Sequence, residues 1–304
     1  MKPKSTELFE SLRTLGLRHR SRNLKVSNLS RVACDQRIIS LGRDDRMAGE
    51  TKKSHTYWPA ETFGLQRSGL YQSLSDSQKA RVLETMSQLR LSLAWYIEKV
   101  GLAYCSRALL ECDSHEEKRL YALMASDEAV HQRMVEHFLV DGEPIEALEK
   151  HPLLLCIADV IQNAKPMAAV YVVQILLEGF GMSYYSAMRS TCESSLLRGV
   201  FDQILKDESR HHGGGLARFG SKDLDAEDLR EIEHHTGRLI RAMSGVGFTG
   251  IAIETVLNRP LTPEEKEKLL EETEWNRQAP VRLAQIRELL SRHEVPGLNL
   301  ARSV

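Results

Sequence analysis

Two five-residue segments of this 304-residue chain carry the residue types of a metal site: Asp127-Glu128-Ala129-Val130-His131 and Asp207-Glu208-Ser209-Arg210-His211. On a helix, residues three apart share a face, so each segment presents a carboxylate beside an imidazole. The spacing alone is a weak signal. With 29 Glu and 11 His, about one Glu-x-x-His pair is expected by chance; three occur, the third being Glu231/His234. Company separates the first two. Glu98 stands 30 residues before Glu128, and Glu178 stands 30 residues before Glu208. The residue 30 before Glu231 is Phe201, and DLREIEHHTGR is a charged stretch, so the third pair reads as surface.

Glu98 shares a helical face with Ala94, Trp95, Gly101, Leu102 and Cys105; Glu178 lies among Ile175, Leu177, Gly181 and Met182. A carboxylate buried alone is costly and needs a cation, a hydrogen-bond network or a proton. From Glu98 to a turn near Cys112 is 14 residues, and the return to Glu128 is about as long. At about 1.5 Å per residue both arms measure about 21 Å, so the two carboxylates end level in an antiparallel helix pair. The second pair of helices, turning near residues 192–194, repeats the arithmetic. Packed face to face, the pairs bring four carboxylates (Glu98, Glu128, Glu178, Glu208) and two imidazoles (His131, His211) around one point. Such mixed oxygen and nitrogen ligands suit two bridged divalent ions, iron or manganese better than zinc or magnesium. A metal-bound imidazole usually donates its other N–H to a carboxylate. Across a pseudo-twofold, Asp127 would serve His211 and Asp207 would serve His131, with Arg210 neutralising one of these aspartates. His212 is turned about 100° from His211 along the helix and is expected to be no ligand.

The elements that must hold these residues are helices. A capping box, Ser75-x-x-Gln78, predicts a helix to about Cys112, and Ser114-x-x-Glu117 starts a second that ends at Asp141-Gly142. After a connector with Pro144, Pro152 and Pro166, holding a short helix near 153–163, helices are predicted over 166–192 and 194–213. The last stops at Gly213-Gly214-Gly215. Further helices are expected at 225–244, 263–275 and 278–292. Two hairpins joined by a longer crossover make a four-helix bundle in an all-α chain. The organisation predicted is a basic N-terminal segment (1–74), a bundle holding the metal site (75–215) and a C-terminal helical extension packed on it (216–304).

Composition fits a soluble globular protein, with 42% apolar and 27% charged residues and a net charge of −1, which gives no global pull toward nucleic acid or membrane. Residues 1–55, with 13 Lys/Arg against 6 Asp/Glu, are the exception. They read as a solvated arm or as a landing surface for an acidic partner. Five cysteines without metal-type spacing point to free thiols in a reducing compartment, and the first residues have no apolar core of a secretory signal, so a cytoplasmic location is expected. The run MAAVYVVQILLEGFGMSYYSAM (167–188) has membrane-span length, but Glu178 at its middle marks a buried core helix.

The ordered set of residues, from Glu98 through the two Asp-Glu-x-x-His segments, resembles the oxygen-activating branch of the ferritin-like di-iron carboxylate superfamily. That branch includes carrier-protein desaturases, multicomponent monooxygenases, R2-like oxidases and arylamine N-oxygenases. The likeness covers roughly residues 75–215. It implies a ferritin-like bundle with Glu98, Glu128 and His131 on one iron and Glu178, Glu208 and His211 on the other, Glu128 and Glu208 bridging. The likeness is incomplete. Val130 stands where such motifs often have Arg, and Ile204 where N-oxygenases add a His. Gly181 and Met182 stand where monooxygenases and desaturases often place a Thr. Gly101 holds the place equivalent to Gly181, and this pair of glycines either leaves room for substrate or lets helices pack closely. Tyr96, Tyr104, Tyr171, Tyr184 and Tyr185 read as core or pocket-lining residues, Tyr185 being the one placed for a radical or crosslinking role.

The resemblance implies an O₂-dependent di-iron oxidoreductase (Fe²⁺/Fe³⁺, with manganese as the other fit) acting on a small organic or carrier-bound substrate by hydroxylation, desaturation, N-oxygenation or cleavage. Its two electrons would come from an external ferredoxin or reductase, Arg18, Arg20 and Arg22 being candidates for the docking arm. A homodimer is a candidate assembly. The alternative is iron or redox handling of the ferritin, rubrerythrin or manganese-catalase kind, although no four-cysteine rubredoxin module accompanies the motifs.

Overall fold

The computed structural model describes residues 30–37, 55–220, 224–244, 248–273 and three helical pairs at 284–285, 288–289 and 291–292. The described residues are helical with no strand. Helix α1 (Asp76–Glu111) starts at the capping box: Ser75 Oγ accepts from Gln78 N, and Gln78 Oε1 from Ser75 N at 3.0 Å. Three residues after its end, Ser114 accepts from Glu117 N and caps α2 (His115–Glu136). α1 and α2 pack antiparallel as the first hairpin. α3 (Pro152–Asn163) crosses to α4 (Pro166–Thr191), and the turn through Cys192 leads into α5 (Ser195–Gly220), which packs along α4 as the second hairpin. α2 against α5 joins the hairpins.

Two helix ends and the winding of one helix depart most from the sequence-based expectation. α2 ends at Glu136, five residues early; Asp141 and Gly142 take left-handed φ of 54° and 70° in a separate short turn. α5 does not stop at its glycine triplet. A Cβ on Gly215 would lie 2.5 Å from Gln174 Cβ, and one on Gly214 3.2 Å from Leu120, so these glycines let the helix pass close to its neighbours instead of breaking it. And within α4, Val170–Leu177 is wound as a π-helix, ending directly at Glu178. All eight of its residues are buried, so the run with the length and apolarity of a membrane span is here a core element.

Outer elements close the bundle. Trp58, fully buried, donates from Nε1 to Met188 O (2.8 Å), while Tyr57 O accepts from Glu193 N and its hydroxyl donates to Phe138 O. The strand-less segment 55–74 thus ties the two hairpins at one end. α6 (Ala226–Ser244) packs on α3 and the start of α4. α7 (Phe248–Leu257), unforeseen in the sequence, packs on α1, and α8 (Pro263–Glu272) on the turn at Gly69–Gln72. Of the helix expected at 278–292 those three helical pairs are the described part, and most of the basic N-terminal segment, with Arg18, Arg20 and Arg22, lies outside the described residues.

Candidate metal centre

The bundle brings the six residues together from four helices: Glu98 from α1, Glu128 and His131 from α2, Glu178 from α4, Glu208 and His211 from α5. They form two groups. Glu98, Glu128, His131 and Glu208 each offer an atom within 4.8 Å of the others, and so do Glu128, Glu178, Glu208 and His211. Glu128 and Glu208 belong to both. His131 Nδ1 lies 3.0 Å from Glu98 Oε2 and 3.7 Å from Glu208 Oε1; His211 Nδ1 lies 3.2 Å from Glu128 Oε1 and 3.5 Å from Glu208 Oε2.

Both imidazoles turn Nδ1 inward and Nε2 outward, each to an aspartate of the other hairpin. His131 Nε2 is 3.0 Å from Asp207 Oδ2 and His211 Nε2 is 3.4 Å from Asp127 Oδ2. Arg210 spans the two aspartates, 2.6 Å to Asp207 and 3.3 Å to Asp127. Sequence reading missed two further partners. Gln203 Nε2 donates to Asp207 (2.9 Å), and Arg37 from the helical stretch 30–37 donates to Asp127 (3.2 Å).

The buried carboxylates and imidazoles of the cluster perturb one another strongly. Like charges about 4 Å apart repel by about 4 kcal/mol at an effective dielectric of 20. Burial, then the neighbouring Glu208, pushes the Glu128 carboxyl up to about 8 and Glu178 well above the usual range. Burial also acts on Glu98, but the hydrogen bond and charge of His131, with Tyr185, outweigh it and leave Glu98 lowered. Burial opposes protonation of the imidazoles, yet Asp207 and Glu98 for His131, and Asp127, Glu128 and Glu208 for His211, raise both. Within the cluster, Glu178 Oε2 and His211 Nδ1 are buried without a well-formed hydrogen bond, His211 Nδ1 having its ion-pair contacts to Glu128 and Glu208. Crowded carboxylates and imidazoles that do not fully satisfy one another are what a bound divalent ion satisfies. The buried groups could therefore hold metal ions.

The other residues singled out in the sequence fall as follows. Tyr185 donates its hydroxyl to Glu98 Oε1, and Tyr184 lines a cavity beside the cluster. Tyr104 and Tyr121 both donate to Gln174 Oε1 (2.8 and 2.6 Å) inside the π segment, and Gln174 Nε2 donates to His211 O. Tyr171 packs on Phe219, and Tyr96 lies beneath the Lys99 ammonium. His212 points away from the cluster, to Gln174 O at 3.0 Å. His234 is exposed, and Glu231 accepts from Lys165 N, so the third pair stands apart. The glycines divide: a Cβ on Gly101 would sit 2.7 Å from Glu128 Oε2, whereas one on Gly181 meets nothing within 4 Å.

Gly181 faces a cavity of about 390 Å³ between α1 and α4. All four glutamates reach its wall; His131, His211, Asp127 and Asp207 do not. Leu93, Ile97, Leu177 and Phe180 line its sides, Leu153 and Ile157 of α3 and Phe248 of α7 cover it, and Arg90 stands among them. Signals for two overlooked residues existed: Gln174 is the one polar side chain between Val170 and Leu177, four before Glu178, and Arg90 interrupts an apolar stretch eight before Glu98. Comparison with family models, with curated proteins and with solved structures returns no match to this chain.

Proposed function

We propose that the chain is a non-haem di-iron oxygenase or oxidase, ferritin-like in its bundle, that uses O₂ to oxidise a small organic molecule. The observation that carries this reading is the pairing of two four-ligand groups sharing Glu128 and Glu208 with an apolar cavity onto which their carboxylates open. A pair of ferrous ions held there would supply O₂ reduction and the oxidising power to break a C–H or N–H bond. The chain's residues do the rest. With metal bound, Asp127 and Asp207 would accept the Nε2 protons and leave each Nδ1 lone pair for the ion. Tyr185 holds Glu98 by one oxygen. The largely apolar cavity offers room for an organic molecule, and the space beside Gly181 brings a substrate within reach of the carboxylates. A storage or scavenging protein has no use for a roofed apolar cavity at this place, which favours the oxidative reading over iron handling. Manganese would satisfy the same ligands. Electrons would come from a separate donor such as a ferredoxin or reductase.

The test is anaerobic titration with Fe(II) followed by rapid mixing with O₂. Saturation at two irons per chain, and a visible band that forms and then decays faster with particular organic molecules, is the expected result. Featureless oxidation that continues past two irons per chain would mean iron handling. Failure to bind iron, unaltered by Glu98→Ala or Glu178→Ala, would remove the metal reading entirely.

A further inference from the structure

We propose that the two metal sites are unequal: a divalent ion held by Glu98, Glu128, His131 and Glu208 binds first and tightly, a second held by Glu128, Glu178, Glu208 and His211 binds weakly and exchanges, and Gln203 is the positioning residue that sets the difference. This rests on the metal reading of the cluster, not on what the loaded centre oxidises. The donors themselves give no reason for inequality. Each group offers three carboxylates and one imidazole, and Glu128 and Glu208 are common to both. What can distinguish the sites is therefore Glu98 with His131 against Glu178 with His211, and the groups that hold each pair.

Those supports differ at each step. Glu98 accepts from the Tyr185 hydroxyl, whereas Glu178 Oε2 is buried without a hydrogen bond. His131 Nε2 lies 3.0 Å from Asp207, and His211 Nε2 lies 3.4 Å from Asp127. Gln203, four residues before Asp207 on α5 and itself buried, directs its Nε2 to both Asp207 oxygens at 2.9 and 3.1 Å. Arg210 leans the same way, 2.6 Å from Asp207 and 3.3 Å from Asp127. In the place of Gln203, Asp127 has the guanidinium of Arg37, half-exposed and 3.2 Å away. A contact to a half-exposed guanidinium is screened by water and costs side-chain entropy, while a buried amide is already fixed by its surroundings. An imidazole locked in its rotamer before the ion arrives binds it with little further ordering. His131 is locked in this sense and His211 less so. The looser ion is thus the one beside Glu178, one turn from Gly181, where the cavity leaves space for a molecule to approach it.

The test uses full-length, metal-free protein titrated with Mn(II), which the same ligands suit, against a competing chelator, with bound metal read by electron paramagnetic resonance. Repulsion between two ions would weaken the second step even at equal sites, so the sites are compared one at a time. Glu178→Ala leaves the Glu98 group whole and should take one Mn(II) with the affinity of the first step in the unaltered chain. Glu98→Ala leaves the other group and should take one at least about tenfold more weakly. Adding Gln203→Leu to Glu178→Ala should lower affinity about 10–100-fold, and adding it to Glu98→Ala should lower it by about twofold at most, a selectivity that general loosening of the fold would not produce. Should the double variants misfold, the two single variants decide alone. Equal affinity in the single variants, or tighter binding in Glu98→Ala, overturns the inequality. Equal losses from Gln203→Leu in both backgrounds remove Gln203 as its cause. Neither result touches the oxidative reading, which needs two ions held but not held unequally. An unaltered chain that binds neither Mn(II) nor Fe(II) sinks the metal centre and both proposals with it.

Discussion

Gly101 and Gly181 stand one turn beyond Glu98 and Glu178, yet a methyl group should have opposite consequences at the two places. Gly→Ala inside a helix gains about 1 kcal/mol of backbone propensity when nothing obstructs the new Cβ. At Gly181 nothing lies within 4 Å, so Gly181→Ala should raise the stability of the metal-free protein by up to that amount and leave metal uptake unchanged. At Gly101 the new Cβ would fall 2.7 Å from Glu128 Oε2 and 2.9 Å from Cδ, well inside contact distance. A free glutamate would swing aside. Glu128 is buried, and its Oε1 lies 3.2 Å from His211 Nδ1, so moving it disturbs a side chain that belongs to both ligand groups. Overpacking of this kind costs about 1–3 kcal/mol, enough to cancel the propensity gain. The affinity for both metals should fall by at least the 10–100-fold typical of displaced supporting groups. Thermal unfolding in chelator and competitive titration with Fe(II) or Mn(II) read the two effects separately. If Gly101→Ala binds two metals per chain with undiminished affinity, Glu128 is not a shared ligand and the reasoning fails.

Replacing Asp207 by Asn removes the negative acceptor behind His131 and should weaken metal binding about 10–100-fold with the helix content intact, read by titration and circular dichroism; unchanged affinity would mean that the Asp207 contact orients nothing. Gln174→Leu would strand the hydroxyls of Tyr104 and Tyr121 and is expected to cost about 2–5 kcal/mol in denaturant unfolding, a loss under 1 kcal/mol counting against that network. The metal-free protein should also lose stability as pH rises. Folding lifts Glu128 from 4.5 to about 8 and raises Glu178, His131 and His211, so these groups hold protons in the folded chain that the unfolded chain releases. Their contribution is complete below their unfolded values; that of Glu128 is lost as pH climbs through about 8 and those of Glu178, His131 and His211 fall as pH rises above their unfolded values, while the lowered Asp127 and Asp207 withdraw theirs on the acid side, below about 3.8. Metal binding displaces those protons, so the loaded protein should show the reverse slope, and a melting temperature in chelator that stays flat from about pH 5 to 8 would refute the assignment.

The candidate site was legible because its evidence lies in spacing. Thirty residues from Glu98 to Glu128, and again from Glu178 to Glu208, hold wherever the helices end, and moving a turn by one residue lengthens one arm and shortens the other by about 1.5 Å each, too little to part the carboxylates. The N-cap signals at Ser75 and Ser114 located two helix starts to the residue for the same local reason. Tertiary packing was not legible. Three consecutive glycines signal a stop when read alone; against Gln174 and Leu120 they are the condition for close approach. Phe248–Leu257 is a short apolar stretch whose helix is stabilised by lying on α1, something no local period announces. Arg90 was overlooked in the sequence because its neighbours Trp58 and Phe63 come from a segment 27 or more residues earlier.

The cluster has two dissimilar sides. Its carboxylates face an apolar cavity, and its imidazoles back onto aspartates held by Arg210 and Arg37, each about half exposed. A molecule seated in the cavity leaves the other side open to solvent, so small charges can be exchanged there without product first departing. For any turnover run at this centre, varying the organic reactant and the electron donor together should give reciprocal plots that intersect rather than run parallel, the pattern of a complex in which both are engaged at once.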